Sequence, residues 1–268
     1  MEGKNSSLAV PIAIVIAGAI IAGAVYFSNN KGVAENQQAN VVNVQDTVIE
    51  TGDITVSPVS SKDYIRGNPG AKVVIVEFSD PECPFCKVFH GTMKSLTNKL
   101  AQNGTIAWVY RNFPLKDLHP RAPKESEALL CAGKVGGSTG FWDYTDRLYS
   151  VTPSNNKLEE SQLPLIAKDV GLNVTAFNTC LSSGEMASLV SVDYEDGIKA
   201  GGTGTPFSVF ITAQPFDKKA VEDFLVQNIL KYKFPTELFK ISSDNKKVSV
   251  SGAMPQDFME QLIAILSK

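Results

Sequence analysis

The sequence lacks any excess of basic residues. Its 25 lysines and arginines are outnumbered by 28 aspartates and glutamates, which gives a net charge of −3 and a pI near 5.5. Proteins that bind nucleic acid through its phosphates carry a basic surface. We therefore set nucleic acid aside as a partner.

The sequence is also poor in residues that hold metals and phosphate-containing cofactors. It has two histidines and four cysteines, the latter being Cys83, Cys86, Cys131 and Cys180. A structural zinc site takes two close pairs of ligands, but Cys131 and Cys180 are far apart and neither histidine is spaced to complete a site. The glycine-rich segment 201–204 is not followed by the lysine and adjacent serine or threonine of a phosphate-binding loop. No metal and no cofactor are therefore expected.

The first 61 residues do not show the pattern of a packed domain. Residues 8–27 carry no charge, and twenty helical residues span about 30 Å, the thickness of a bilayer core. This run predicts an N-terminal transmembrane helix within residues 1–28. A cleaved signal peptide is the alternative, although signal sequences usually have a shorter apolar segment. Residues 29–61 are polar and predict a linker, with an extra strand around Val41–Val44 as the alternative.

Residues 62–268 show the alternation of strands and helices of one α/β domain. Short apolar runs predict strands at 72–78, 105–113, 207–212 and 246–251. Apolar residues three and four positions apart predict amphipathic helices at 86–100 and 256–266. Between residues 120 and 200 the sequence predicts helices around 125–132, 141–150, 163–170 and 185–199, with a turn at Gly136-Gly137. The expected fold is an α/β sheet with helices inserted in the middle of its strand order.

The motif Cys83-Pro84-Phe85-Cys86 lies where the first of these strands leads into a helix. At a helix N-terminus, free backbone N–H groups and the positive end of the dipole favour a thiolate. Pro84 suits the first helical position, where its missing N–H costs nothing. The motif therefore predicts a redox-active pair, with Cys83 as the attacking thiol and Cys86 as the resolving one. We expect the pKa of Cys83 to lie at roughly 4.5–6.5.

Two further features accompany the cysteines. Glu77 lies in an otherwise apolar strand, where a buried carboxyl under the disulfide would move protons as thiols form and break. The alternative is a glutamate at the strand end that reaches water. Thr205-Pro206 stands at the start of a strand, a position where a cis proline is tolerated.

Together these residues resemble the DsbA-like thioredoxin-fold proteins. The run 76–86 (VEFSDPECPFC) is similar to their active-site segment, and the similarity continues through 111–115 (RNFPL), His119-Pro120, Glu127-Ala128 and Gly204-Thr205-Pro206. The resemblance implies a thioredoxin fold with a helical insertion at about 116–200. It also implies a cis proline at Pro206 that faces the cysteines, with the backbone of Thr205 binding peptide.

The resemblance has two departures and one open question. Phe85 replaces the histidine that the strongest oxidant of the family has between its cysteines. An extra insert at about 214–245, with a helix at 218–232, lengthens a hairpin turn that is usually short. Cys131 and Cys180 form a disulfide if this chain follows some relatives, and the alternative is two separate buried thiols.

The predicted function is thiol–disulfide exchange on extracytoplasmic proteins, with the enzyme acting as an oxidant. The alternatives are a disulfide isomerase or reductase of the same fold and a redox-inert binding or chaperone domain. The expected partners are reduced or misfolded proteins, a membrane or soluble redox partner that recycles the enzyme, and the membrane itself. The expected location is the cell membrane with the catalytic domain outside the cytoplasm, or a secreted or periplasmic form after cleavage.

Three other residues receive more ordinary interpretations. His90, on the cysteine face of its helix, is interpreted as a surface histidine, with stabilisation of the thiolate as the alternative. His119 is interpreted as a loop residue, with proximity to the site as the alternative. Trp142 and its aromatic neighbours are interpreted as helical core.

Overall fold

The computed structural model describes residues 48–268. The predicted transmembrane helix (1–28), most of the predicted linker (29–61) and the alternative strand at Val41–Val44 lie outside the described residues. Within the described part, no helix is both long and apolar enough to cross a bilayer.

The described strands form one mixed sheet. They are β1 (Glu50–Thr51), β2 (Tyr64–Gly67), β3 (Val73–Ser79), β4 (Ile106–Asn112), β5 (Phe207–Thr212), β6 (Phe239–Ile241) and β7 (Lys247–Ser251). Their order is β1-β6-β7-β5-β3-β4-β2. Strand β3 is central: it pairs in parallel with β4 and antiparallel with β5. Its sequence VVIVEFS is apolar on both faces because the sheet is covered on both sides.

The helices cover this sheet and fill the insertion. They are α1 (Pro84–Leu100), α2 (Ala122–Val151), α3 (Leu163–Asp169), α4 (Val174–Ser183), α5 (Ala187–Lys199), α6 (Lys218–Tyr232) and α7 (Gln256–Leu266). Short 3-10 turns precede α3 and β6. Helices α2 to α5 lie between β4 and β5, so the structure has a thioredoxin-like α/β fold with a helical insertion, as the sequence predicts.

The insertion differs from the sequence prediction in two places. The predicted turn at Gly136-Gly137 is a kink within α2, where Gly137 has φ 64°. This left-handed conformation suits glycine, so the helix changes direction without a loop. The second difference is helix α4, which was not predicted. Its Cys180 forms a disulfide (S–S 2.01 Å) with Cys131 of α2, which is the first of the two alternatives given for these cysteines.

The predicted linker (29–61) extends too far along the chain, because its last ten residues are part of the packed domain. Residues 52–63, which we call the strap, lead from β1 at one edge of the sheet to β2 at the other. Ile54 of the strap is buried against the sheet beside Val76 and Val109. Arg111 holds the strap in place by donating to the carbonyl of Ser57 (3.0 Å) and to the carboxylate of Asp63. The polar composition of the strap hid these anchoring contacts from sequence analysis.

The extra insert at 214–245 contributes α6 and β6. Strand β6 pairs antiparallel with β7 and in parallel with β1, so the insert widens the sheet at this end. Helix α6 packs on the terminal helix, with the rings of Phe224 and Phe258 at 5.0 Å. The insert is therefore part of the packed domain.

Candidate active site

The turn before α1 is built around the side chain of Asp80. Its carboxylate accepts hydrogen bonds from the backbone N–H of Glu82 (2.7 Å) and of Leu115 (2.8 Å), and from Nδ1 of His119 (2.9 Å). An aspartate that bonds the N–H two residues ahead makes a tight turn. Cys83 follows as the N-cap residue of α1, and Pro84 takes the first helical position. The chain thus brings both cysteines to the N-terminal turn of the helix.

The two thiols have different surroundings. Cys83 is 4% exposed and its Sγ lies 3.5 Å from the carbonyl oxygen of Thr205, whereas Cys86 is fully buried. The backbone N–H of Asp80 donates to Cys86 Sγ (3.4 Å). Thr205 reaches the site because β5 pairs with β3, and the Thr205-Pro206 bond before β5 is cis. The structure therefore brings together the predicted cysteines and the predicted Thr205-Pro206 segment.

These surroundings separate the acidities of the two thiols. The pKa of Cys83 falls from 9.0 to about 6, first because the Cys86 side chain hydrogen-bonds its thiolate. The Thr205 side chain and the backbone N–H groups of Phe85 and Cys86 add to this effect. Burial raises the pKa of Cys86 well above 9.0, and the neighbouring Cys83 raises it further. Near neutral pH, Cys83 is the thiolate and Cys86 holds a proton.

Glu77 lies beneath the pair on the α1 face of the sheet. It is fully buried, and its Oε2 accepts a hydrogen bond from Nε1 of Trp108 (2.8 Å). Burial raises the pKa of Glu77 to about 7, against the lowering effects of Ser79 and Trp108. Its charge also acts on both cysteines. A carboxyl that titrates near neutrality can exchange protons with the thiols above it.

The alkylation rate of Cys83 should rise with pH to a half-maximal value at about pH 6, because the thiolate is the reacting form. The measurement is iodoacetamide labelling between pH 4 and 10, with the labelled residue identified by mass spectrometry. In Cys86→Ala the midpoint should move upward, since the hydrogen bond from Cys86 is the largest cause of the low pKa. A midpoint near 8.5 in the wild type would contradict the assignment of Cys83.

His119 and His90 both differ from their predicted interpretations. His119 is buried, and it is hydrogen-bonded to Asp80 in the turn that carries the cysteines. It therefore lies close to the site, which was the alternative interpretation. His90 is not a surface residue: it is 4% exposed, its Nε2 lies 2.8 Å from Asp146, and its ring stacks on Tyr149. Helix α2 covers this face of α1, which the helical periodicity alone did not reveal. Trp142 is 5% exposed, which confirms its interpretation as core.

Sequence analysis missed a buried acidic pair beside Cys83. Glu82 is fully buried and Glu125 of α2 is 2% exposed. Burial first, and then a hydrogen bond to Glu82, raises the pKa of Glu125 to about 10. Glu125 is therefore a neutral acid at pH 7. The one sign of this pair in the sequence is Glu82, directly before the motif. Its partner Glu125 lies 43 positions farther along the chain, too far for a local pattern to show.

Comparisons with known sequences identify the family. A sequence model of the thioredoxin family matches residues 60–229, which include both cysteines and Thr205-Pro206. Among curated proteins, the chain is 28% identical over 154 residues to the Na(+)/H(+) antiporter NhaA 3 of Salinispora tropica. That match covers 58% of this chain and 22% of the antiporter. The chain thus matches about a fifth of the length of such relatives.

Comparisons with solved structures concern the fold. Wolbachia pipientis alpha-DsbA1 is 19% identical with a TM-score of 0.57, and the alignment covers 78% of this chain and 92% of that one. Oxidised BdbD from Bacillus subtilis is 20% identical with a TM-score of 0.54, over 67% of this chain and 99% of that one. Both have the thioredoxin fold with inserted helices that is described above. This chain therefore belongs to the thioredoxin family, and its fold is similar to that of the DsbA proteins.

Proposed function

We propose that this protein is a thiol–disulfide oxidoreductase that oxidises thiols of other proteins through Cys83 and Cys86. The observation that carries the proposal is the geometry of the pair: Cys83 is the N-cap residue of α1 with its Sγ 3.5 Å from the carbonyl oxygen of Thr205, whereas Cys86 is fully buried. This arrangement lowers the pKa of Cys83 to about 6 and raises that of Cys86 well above 9.0. A stable thiolate at Cys83 makes it a good leaving group. The reduced form of the pair is stabilised in the same way, which favours oxidation of the substrate.

The reaction has two exchange steps. A substrate thiolate attacks Sγ of Cys83 in the Cys83–Cys86 disulfide, which forms a mixed disulfide and releases Cys86 as a thiolate. Because Cys86 is buried and its pKa is high, it takes up a proton. A second substrate thiolate then attacks the substrate sulfur of the mixed disulfide and releases Cys83 as a thiolate. Two electrons pass to the enzyme, and the substrate leaves with a disulfide.

Glu77 and Thr205 support these steps in different ways. Glu77 lies under the sulfurs and titrates at about 7, so it can supply the proton that Cys86 takes up. Thr205 lies against Cys83 Sγ, where its backbone carbonyl can bind the backbone of the incoming substrate. In these roles, Cys83 is the sulfur that exchanges with the substrate, Cys86 is its partner in the disulfide, and Glu77 is the internal acid and base.

The reduction potential tests the direction of electron flow. We expect a value of roughly −200 to −120 mV, above that of thioredoxin, because the acidic Cys83 stabilises the reduced form. The absence of a histidine at Phe85 should keep the value below that of the strongest oxidant. The measurement is a titration of the full-length protein in glutathione buffers, with the redox state of Cys83 read by alkylation and mass spectrometry.

Reoxidation of a reduced substrate protein completes this test. The wild type should restore the activity of reduced ribonuclease, and Cys83→Ser is the matched control that should not. A potential at or below about −260 mV would refute the oxidase proposal and favour a reductase. An unreactive pair would favour a binding or chaperone domain instead.

The proposed location is outside the cytoplasm, with an N-terminal membrane anchor and a redox partner that reoxidises Cys83 and Cys86. The Cys131–Cys180 disulfide of the helical insertion supports this location, because stable disulfides belong to oxidising compartments. The partner accepts the two electrons that each substrate leaves on the enzyme. Without such an acceptor, each molecule would oxidise one pair of thiols.

A further inference from the structure

We infer that residues 152–158, the loop between α2 and the turn before α3, bind the substrate polypeptide next to its reacting cysteine, and that Glu82 is the positioning residue of this loop. The inference rests on the proposed function, because it assigns a binding surface for the same substrates. The 152–158 loop belongs to the helical insertion, yet its contacts lead to the redox motif.

The strongest contacts join the loop to the residue before Cys83. The backbone N–H of Asn155 donates to the carbonyl of Glu82 (2.8 Å), which belongs to the same peptide unit as the nitrogen of Cys83. The backbone N–H groups of Asn156 and Leu158 (3.4 Å) donate to the two carboxylate oxygens of Glu82. One buried side chain thus holds the loop within a few ångströms of the reacting cysteine.

Two further contacts hold the loop, one at its first residue and one near its middle. Nζ of Lys87, one turn into α1, donates to the carbonyl of Thr152 (2.6 Å). Nδ2 of Asn156 donates to the carbonyl of Leu118 (3.0 Å). The loop is therefore attached both to the redox helix and to the segment after β4.

The backbone of the loop has an uncommon conformation. Ser154, Asn155 and Asn156 have φ values of 62°, 54° and 64°. Residues other than glycine adopt positive φ rarely, and three in succession are held only where the surroundings require it. Here the contacts with Glu82 supply that requirement. The consequence is a rigid turn whose alternate side chains point outward.

The outward side chains suit an extended polypeptide. Pro153, Asn155 and Lys157 are exposed, whereas Ser154 and Leu158 between and after them are buried. In the redox motif to which the loop is bonded, Phe85 is 64% exposed and lies between the two cysteines in the sequence. The amide of Asn155 can donate to and accept from a peptide backbone, and the Phe85 ring offers an apolar contact to a neighbouring side chain.

Glu125 explains why Glu82 is free to hold the loop. Since Glu125 remains protonated at neutral pH, it is a neutral neighbour that can donate a hydrogen bond to the Glu82 carboxylate. A second charge at this depth would repel that carboxylate. Glu82 therefore keeps its oxygens directed at the loop.

The test compares two probes on the full-length protein carrying Cys86→Ala. One is a nine-residue peptide with a central cysteine, the other is N-acetylcysteine amide, and each is activated as a mixed disulfide with thionitrobenzoate. The Cys83 thiolate attacks the cysteine sulfur of the probe, a Cys83–probe disulfide forms, and coloured thionitrobenzoate leaves as the old disulfide breaks. The readout is the ratio of the rate constant for the peptide to that for the capped cysteine, which has no neighbouring residues to contact the loop.

Asn155→Ala/Lys157→Ala should lower this ratio by about tenfold, the loss expected for two polar contacts. Lys168→Ala/Asn178→Ala is the matched control, because both residues are exposed elsewhere in the helical insertion; it should leave the ratio unchanged. Glu82→Gln should lower the ratio as well, since one carboxylate oxygen becomes an N–H donor that faces other donors. Its thermal unfolding shows separately whether the fold is retained.

An unchanged ratio in the Asn155→Ala/Lys157→Ala variant, with both probes reactive, overturns the binding role of the loop and leaves the proposed function intact. If Cys83 reacts with neither probe, the proposed function fails, and this inference fails with it. A lowered ratio in the loop variant and an unchanged one in the control variant support the inference.

Discussion

Substrates should accumulate on Cys83 as mixed disulfides when Cys86 is replaced by alanine. The reason is that the only thiol positioned to attack the mixed disulfide from within the protein has been removed, while Cys83 still reacts. The measurement is non-reducing electrophoresis of the full-length Cys86→Ala protein after exposure to substrate proteins that carry disulfides, so that the Cys83 thiolate attacks a substrate disulfide and releases one substrate thiolate. Mass spectrometry of the adducts should place the new bond at Cys83.

Cys83→Ala is the matched control and should trap far less. In the wild type, Cys83 has a pKa of about 6 and is roughly 90% thiolate at pH 7, whereas a thiol with a pKa above 9 is at most about 1% thiolate. Loss of the Cys86 hydrogen bond raises the Cys83 pKa in Cys86→Ala and so lowers its thiolate fraction. Cys86 is also fully buried, so a substrate does not reach it. The two effects together predict at least about tenfold more adduct on Cys83. Equal amounts of adduct in the two variants would show that the roles of the two cysteines are wrongly assigned.

Removing the disulfide of the helical insertion should cost the domain about 4 kcal/mol of unfolding free energy. Cys131 and Cys180 are separated by 49 residues, and closing a loop of that length restricts the unfolded chain by about this amount. The measurement is urea denaturation of Cys131→Ala/Cys180→Ala and of the wild type, with Cys83 and Cys86 in the same redox state in both proteins.

Wild-type protein reduced with excess dithiothreitol is the control for lost side-chain volume. It keeps the sulfur atoms and loses only the cross-link, so it should approach the stability of the double variant. A difference below about 1 kcal/mol between the oxidised wild type and the double variant would contradict the prediction. Reactivity of Cys83 with small disulfides should survive in both, since the cross-link joins α2 to α4 and leaves α1 untouched.

The parts of this fold that the sequence predicts are those set by short-range patterns. The position of Cys83 at a helix N-terminus follows from an apolar strand, a turn and Pro84 in succession. The helix of the extra insert follows from its local periodicity in the same way. Such features depend on neighbours in the chain, so no knowledge of the packing was needed.

The features that sequence analysis missed depend on contacts between distant segments. His90 is buried because α2 packs over α1, and its own helix gives no sign of that cover. Glu82 acquires its role from Glu125 and from the loop around Asn156, more than 40 and 70 residues away. The composition of the strap resembles that of a linker because most of its residues are polar. Only a few of them, such as Ile54, are buried against the sheet. Long-range packing decides each of these cases.

The strap also determines how the domain responds to mechanical load. A pull on the chain before Glu50 acts first on β1, which pairs with β6 over two residues at the edge of the sheet. Six strand spacings, or about 29 Å, separate β1 from β2 at the opposite edge. After β1 detaches, the load passes along the strap to Ile54 and then to the hydrogen bonds that Arg111 donates to Ser57 and Asp63. We therefore expect the strap to detach in stages before the load reaches β4, which carries Arg111, and the central strand β3 that pairs with it.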